Sequence, residues 1–371
     1  MPTPRRSHRL LAGLVFALAV LGLRAAPLDP APEGTFTIAV IPDTQGYFGK
    51  GTKEDPEGKE PTTNPVLDAH TRWITSNIDA QRIVFVSHVG DIVDRNNNEQ
   101  WKLAGELIGR LHGKVPYGLV VGNHDMRLSG ESTLFQKTFP AARFAGFDWY
   151  GGSHPYVPER PGVSGNNANS YQLISAEGVD LVILHLECNA PDYVLSWADA
   201  ILERHRDRIG IVVTHMDLGV IHPRVRGQPA PPVGRMLWTK NHGEHGNSPD
   251  QMWDKLYRKH ANLRLIFSGD QREVAYAHLV TTGDHGNTVH ALMSDYYSNG
   301  PMRLYRFAPK EGKLHVITYD TTQQGLVAAT EWSWSKYKGG RVTCEPADAP
   351  AVDTPERRKH QFTIDLDFRV R

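Results

Sequence analysis

The sequence predicts an α/β protein with largely parallel strands, followed by a C-terminal part built of mostly antiparallel ones. Three observations carry this. Six short, β-branched apolar runs recur between residues 35 and 268, helical patterns lie between them, and from about Glu273 onward extended runs follow one another with only turns between. Short runs rich in Val, Ile and Phe are the mark of strands buried on both faces, and their alternation with helices marks βα units.

In chain order the runs are 35–41 (TFTIAVI), 83–89 (IVFVSHV), 117–121 (YGLVV), 181–186 (LVILHL), 209–214 (IGIVVT) and 263–268 (LRLIFS). Segment 65–80 carries Leu67, Trp73, Ile74 and Ile78 near helical spacing, and 98–111 carries Trp101, Leu103, Leu107 and Ile108 in the same way. Segments 192–208 and 249–260 complete the helical set. Extended runs at 275–280, 288–293, 303–307, 314–319 and 361–368 form the antiparallel set, with Gly, Asn and Pro in the turns. Trp332 and Trp334 alternate on an expected strand, where packing is their role. Segments 46–63, 155–169 and 221–248 read as long loops, which in a compact enzyme cover the site or move.

The chain has 371 residues, enough for one large domain or two modest ones. Its N-terminus stands apart. Arg5, Arg6 and Arg9 precede an apolar run at 10–23, and Ala25, Ala26 and Pro27 follow. A basic start, a short apolar stretch and small residues at a cleavage point describe a secretory signal over residues 1–26. The run is short for a membrane span, which takes about 20 apolar residues, so an uncleaved anchor is the lesser alternative. Cleavage would leave a protein in the periplasm or outside the cell. Lys and Arg number 41, as do Asp and Glu; removing Arg5, Arg6, Arg9 and Arg24 leaves a net charge of −4. A mildly acidic protein without a basic, aromatic-interleaved patch is a poor nucleic-acid binder. Of two cysteines, Cys188 ends an apolar run and reads as a buried thiol, with a Cys188–Cys344 bridge as the alternative that export permits.

The chemistry lies where the strand runs end. Pro42-Asp43-Thr44-Gln45 follows the first, Gly90-Asp91-Ile92-Val93-Asp94-Arg95 the second, Gly122-Asn123-His124-Asp125 the third, His215 the fifth, and Gly269-Asp270-Gln271-Arg272 the sixth. In open α/β sheets ligands bind beyond the carboxyl ends of the strands, so these groups are placed to converge. Hard oxygens from Asp, Asn and Gln with imidazole nitrogen suit Mn, Fe, Zn or Mg rather than a thiolate-selected metal. Any one of these residues alone reads as a turn former or helix cap. It is the succession of motifs, each behind an apolar strand, that points to function. His242 and His245 read as surface-loop residues, and His285 reads either as a turn residue or as a group facing the site.

The order D-x-Q, G-D-x-x-D, G-N-H-D, T-H resembles the calcineurin-like metallophosphoesterases over roughly residues 36–296. The resemblance implies an αββα sandwich of two mixed β-sheets flanked by helices, with one or two divalent metal ions at the strand ends. It implies a domain over 35–308, with strands at 309–371 completing or packing on the second sheet. By the same resemblance Asp91 bridges two metals, Asp43 binds the first with Gln45 beside it, and Asn123 and His215 bind the second. His124 protonates the leaving alkoxide, Asp94 orients its ring, and Arg95 contacts phosphate. The implied reaction is hydrolysis of a small-molecule or macromolecular phosphate ester by in-line attack of a metal-activated water.

One motif departs from the family pattern. Where the family has G-H-x-H, this chain has Gly269-Asp270-Gln271-Arg272. Asp270 can still ligate; Arg272 cannot. A guanidinium about 4 Å from a dication is repelled by about 8 kcal/mol at an effective dielectric of 20. Three arrangements stay open: Arg272 replaces one metal and grips phosphate; it swings away and leaves room for two metals, with water or His285 filling the gap; or the protein binds a phospho-ligand without turning it over.

Overall fold

The computed structural model describes residues 28–155, 159, 160, 162–221, 232–272, 274–296, 298–331, 341–347 and 350–370. The expected signal segment, Trp332, Trp334 and residues 222–231 of the third long loop lie outside the described residues. The first half of the chain forms β1 (Phe36–Ile41), α1 (Pro65–Ser76), β2 (Ile83–His88), α2 (Asn98–Ile108), β3 (Tyr117–Leu119), α3 (Thr133–Thr138), β4 (Tyr150–Ser153), β5 (Ser170–Ala176) and β6 (Val179–Leu186). Next come α4 (Asp192–Arg204), β7 (Ile209–Thr214), β8 (Leu218–Val220), β9 (Val233–Arg235), α5 (Pro249–Lys255), β10 (Leu263–Ser268), β11 (Tyr276–Thr282) and β12 (Thr288–Ser294). Last are β13 (Pro301–Ala308), β14 (Lys313–Asp320), β15 (Gly325–Glu331), β16 (Arg341–Cys344), α6 (Arg357–His360) and β17 (Gln361–Asp365).

Two large mixed sheets result. One runs β16-β15-β14-β13-β1-β2-β3, with β17 also paired to β14; the other runs β11-β12-β10-β7-β6-β5-β4. β1, β2 and β3 are mutually parallel, and so are β6, β7, β10 and β12. Burial on both faces explains why these runs are apolar with few exceptions. Along β1, Phe36, Ile38 and Val40 join the core between the sheets, whereas Ala39 and Ile41 join the core under α1 and α2. Alternate residues of one strand thus serve two cores, which is why the run carries no charged member and even its Thr37 is buried. Leu184 and Val212 of the other sheet pack outward against Leu195 of α4 and Met252 of α5. The layers are helix, sheet, sheet, helix.

The antiparallel set divides between the sheets. The sequence reading grouped run 288–293 with it, but β12 lies parallel to β10, because β11 descends the sheet edge and the hairpin returns β12 between β11 and β10. β13 then crosses to the other layer and pairs antiparallel with β1. The strands from residue 309 onward add to β13, and so extend the sheet built on β1. β9, inside the segment 221–248, pairs with β8 just before it. Cys188 and Cys344 are both free thiols.

Candidate metal centre

Five strand ends meet. His215, just past β7, is fully buried and central. Its Nε2 lies 2.8 Å from Asn123 Oδ1, 3.2 Å from Asp91 Oδ1 and 3.5 Å from Asp270 Oδ1. Its Nδ1 is 3.0 Å from the carbonyl of Val89, so Nδ1 carries a proton and donates it there. In the neutral ring Nε2 then turns a lone pair toward three acceptor oxygens. The bond to the Val89 carbonyl thus fixes the tautomer and leaves Nε2 free to meet a cation.

Asp43, just past β1, and Asp91, just past β2, complete the centre. One donor atom from each, together with one from His215, lies within 4.8 Å of the others. Burial, then the Asp295 carboxylate, hold the Asp43 carboxyl well above the usual carboxylate range, with Asp91 and Asp270 adding to the effect. Burial also works against ionisation of Asp91, but the His215 imidazole and the hydrogen bonds around it bring that carboxyl below its ordinary value. His215 is desolvated too, yet Asp91 and Asp43 hold its proton affinity well above that of a free imidazole. Carboxylates crowded in a dry site call for positive charge, and hard oxygens with one imidazole are a donor set for Mn, Fe, Zn or Mg. The residues therefore fit a divalent ion.

The backbone around them is shaped for this. Asp91 and Asp270 have φ of 50° and 70°, left-handed values that cost about 1 kcal/mol in a non-glycine residue. Gly90 takes φ 102°, open only to glycine. A Cβ on Gly122 would fall 2.1 Å from Asp91 N and 2.2 Å from Asp91 Oδ1, so only glycine lets the two motif loops touch. Asp125 fastens those loops: its carboxylate accepts from the amides of Gly122, Ile92 and Val93 at 2.9–3.1 Å. Burial, then Asp91, push its pKa up to about 7.

The remaining expected residues fall as follows. The Gln45 amide nitrogen donates to Asp91 Oδ2 at 2.7 Å, leaving Oε1 as the atom a cation would take. The Asp270 amide donates to Asp43 Oδ1 at 3.2 Å, and Gln271 Nε2 donates to Asp270 Oδ2 at 2.5 Å. Arg272 is half-buried in the turn before β11. His124 Nδ1 contacts Asp94 through the main-chain carbonyl, at 2.8 Å, while the Asp94 carboxylate is 3.7 Å away and bound to Lys53. The guanidinium of Arg95 donates to the Thr52 carbonyl.

Of the two roles open to His285, the turn is the one it takes: it bonds the Lys259 carbonyl in the β11–β12 hairpin, at the opposite end of β12 from Asp295, and so does not face the centre. One histidine reading is corrected. His242 is 2% exposed rather than a surface residue; Gly130 packs on its ring, and Glu187 Oε2 lies 3.6 Å away. Asp295 was missed, although the rule that found the others applies to it. It is a buried carboxylate directly after β12, one strand over from Asp270.

An uncharacterized protein of Bacillus subtilis strain 168, YvnB, is 28% identical over 303 residues, which is 78% of this chain and 20% of that protein, so the chain spans about a fifth of the curated relative it matches. Among solved structures, a dimetal phosphatase from Danio rerio is 14% identical, with a TM-score of 0.42, covering 78% of this chain and 96% of that one. A 5'-nucleotidase precursor from Thermus thermophilus is 12% identical, also at 0.42, covering 87% and 56%. Both likenesses are distant. The model of the calcineurin-like phosphoesterase family matches residues 36–273, the span that carries the strand-end motifs, and the chain belongs to that family.

Proposed function

We propose that this chain is an exported, metal-dependent phosphoric ester hydrolase. The observation that carries the reading is His215 Nε2 facing oxygens from three other strand-end motifs. Asp43, Asp91, Asn123, His215 and Asp270 hold the metal, with Gln45 beside them. A bound dication supplies Lewis-acid polarisation of the phosphoryl group and a nucleophile at neutral pH. His124 acts as proton donor to the departing oxygen. Its Nδ1 proton is committed to the Asp94 carbonyl, so the proton it gives is at Nε2. Arg272 stands where the family places a ligand. We assign it to gripping the phosphate, which leaves one firmly held ion. Export rests on the basic and apolar order of residues 1–26; N-terminal sequencing of the mature protein should begin near Pro27.

Asp91→Asn should abolish turnover of p-nitrophenyl phosphate and bis-p-nitrophenyl phosphate, with Mn added, while leaving circular dichroism unchanged. Wild-type protein that binds metal but cleaves neither ester nor a broader phosphate-ester panel would contradict hydrolysis. The second reading, a phospho-ligand-binding protein, is favoured by Arg272. Tight phosphate binding without turnover is its signature.

A further inference from the structure

Behind the metal centre lies a closed chain of hydrogen bonds through a histidine that touches none of the reacting groups. His88 ends β2 and is 1% exposed. The amide of Gly90 donates to its Nδ1 at 3.2 Å, and Nε2 lies 3.0 Å from Thr44 Oγ1. An amide can only donate. Nδ1 is therefore the acceptor, and the ring proton sits on Nε2, donated to Thr44. The Thr44 hydroxyl, having accepted, donates to the Ile92 carbonyl at 3.1 Å. The chain runs one way only, and its two ends, Gly90 and Ile92, flank Asp91. Its middle member, Thr44, follows Asp43. A second tie reinforces it, since the Thr44 amide donates to the Asp91 carbonyl at 3.0 Å.

We infer that His88 and Thr44 form a positioning pair that sets the spacing of Asp43 and Asp91 and thereby the affinity of the centre for its cation. This rests on the proposal that Asp43 and Asp91 hold a metal. Three features support the role. The Asp91 loop is strained, with φ of 102° at Gly90 and 50° at Asp91, so it needs holding on both sides. Asp125 holds it against the Asn123 loop only; toward the Asp43 loop, the His88 imidazole and the Thr44 hydroxyl tie the residues on both sides of Asp91, while Gln45 bonds the Asp91 carboxylate itself. The anchor is itself rigid, because Asn64 Nδ2 donates to the Thr44 carbonyl at 2.7 Å and caps α1 with its oxygen. Removing such outer contacts from a metal site typically costs 10–100-fold in affinity or activity.

The test is Mn2+ titration of the metal-free full chain by calorimetry, alongside its metal-free melting temperature. Thr44→Val keeps the shape and deletes the hydroxyl; Thr44→Ser keeps the hydroxyl. Thr44→Val should raise the Kd for Mn2+ about tenfold or more, and Thr44→Ser should stay within about threefold of wild type. If Thr44→Val does not fold, His88→Gln takes its place: it keeps an N–H for Thr44 but loses the Gly90 contact, and it should also weaken Mn2+ binding. An unchanged Kd in the folded variant overturns the proposal, including the case in which only the melting temperature falls. A wild-type chain that binds no Mn2+ removes the underlying metal assignment instead.

Discussion

At the residue scale the centre depends on a few atoms that tolerate little change. Gly122→Ala places a methyl within 2.2 Å of both the Asp91 amide and its carboxylate. The loop must shift, and the expected outcome is loss of tightly bound metal in a protein that still folds, read by elemental analysis beside circular dichroism. His124 is separable from this. Its amide donates to Asp91 Oδ1 at 2.9 Å through the main chain, which a side-chain change leaves in place. His124→Gln should lower kcat by about 10²–10⁴-fold with metal content unchanged; an unchanged kcat in that variant would contradict the proton donation proposed for it. The residues themselves were legible because each follows an apolar strand. Asp295 obeys the same rule, but run 288–293 had been set in the antiparallel group, whose ends carry no such expectation. Burial of His242 was not legible either, since it depends on Gly130 and Glu187 from distant segments.

At the element scale local signals decided more than long-range ones. The parallel strands and the helices between them follow from apolar periodicity, and each appears at its expected place; the helices end three to five residues early, β7 and β10 match their runs, and β6 starts two residues before its run. α5 shows why. Ser248 Oγ accepts from the Gln251 amide, and the Gln251 side chain accepts from the Ser248 amide, a reciprocal cap followed by Pro249. Ser248→Ala should cost about 1 kcal/mol in urea unfolding. A loss within error would mean that packing of Met252 alone holds the helix. The partition of the C-terminal strands was not legible, because sheet membership depends on β13 crossing between layers, and an extended run carries no mark of which neighbour it will pair with.

At the scale of the whole molecule the two sheets share one core, and neutral histidines are sealed within the fold. His185 bridges the layers through Gln172 Oε1 and Ser87 Oγ, and His70 bonds Thr321. Burial pushes the pKa of each down to about 3, and of His360 likewise. In the unfolded chain these rings take protons near pH 6.5. Between about pH 3 and 6.5 the unfolded state therefore binds more protons, so stability is held above pH 6.5 and lost as pH falls toward 3. The buried Asp43 and Asp125 carboxyls, raised above their ordinary range, titrate in the opposite sense, so the test is a variant: the urea midpoint, measured in chelator so that metal plays no part, should fall less between pH 6.5 and 4 in His185→Gln than in wild type; an identical pH dependence would contradict neutral burial of His185. The strand ends meet in one buried cleft, and the central claim is that this cleft is a metal centre. Elemental analysis of purified wild-type and Asp91→Asn protein, grown with Mn and Zn present, tests it most directly. The prediction is about one tightly held divalent ion per chain in the wild type and none in Asp91→Asn; a wild-type chain without metal, or a variant that retains it, would contradict the account.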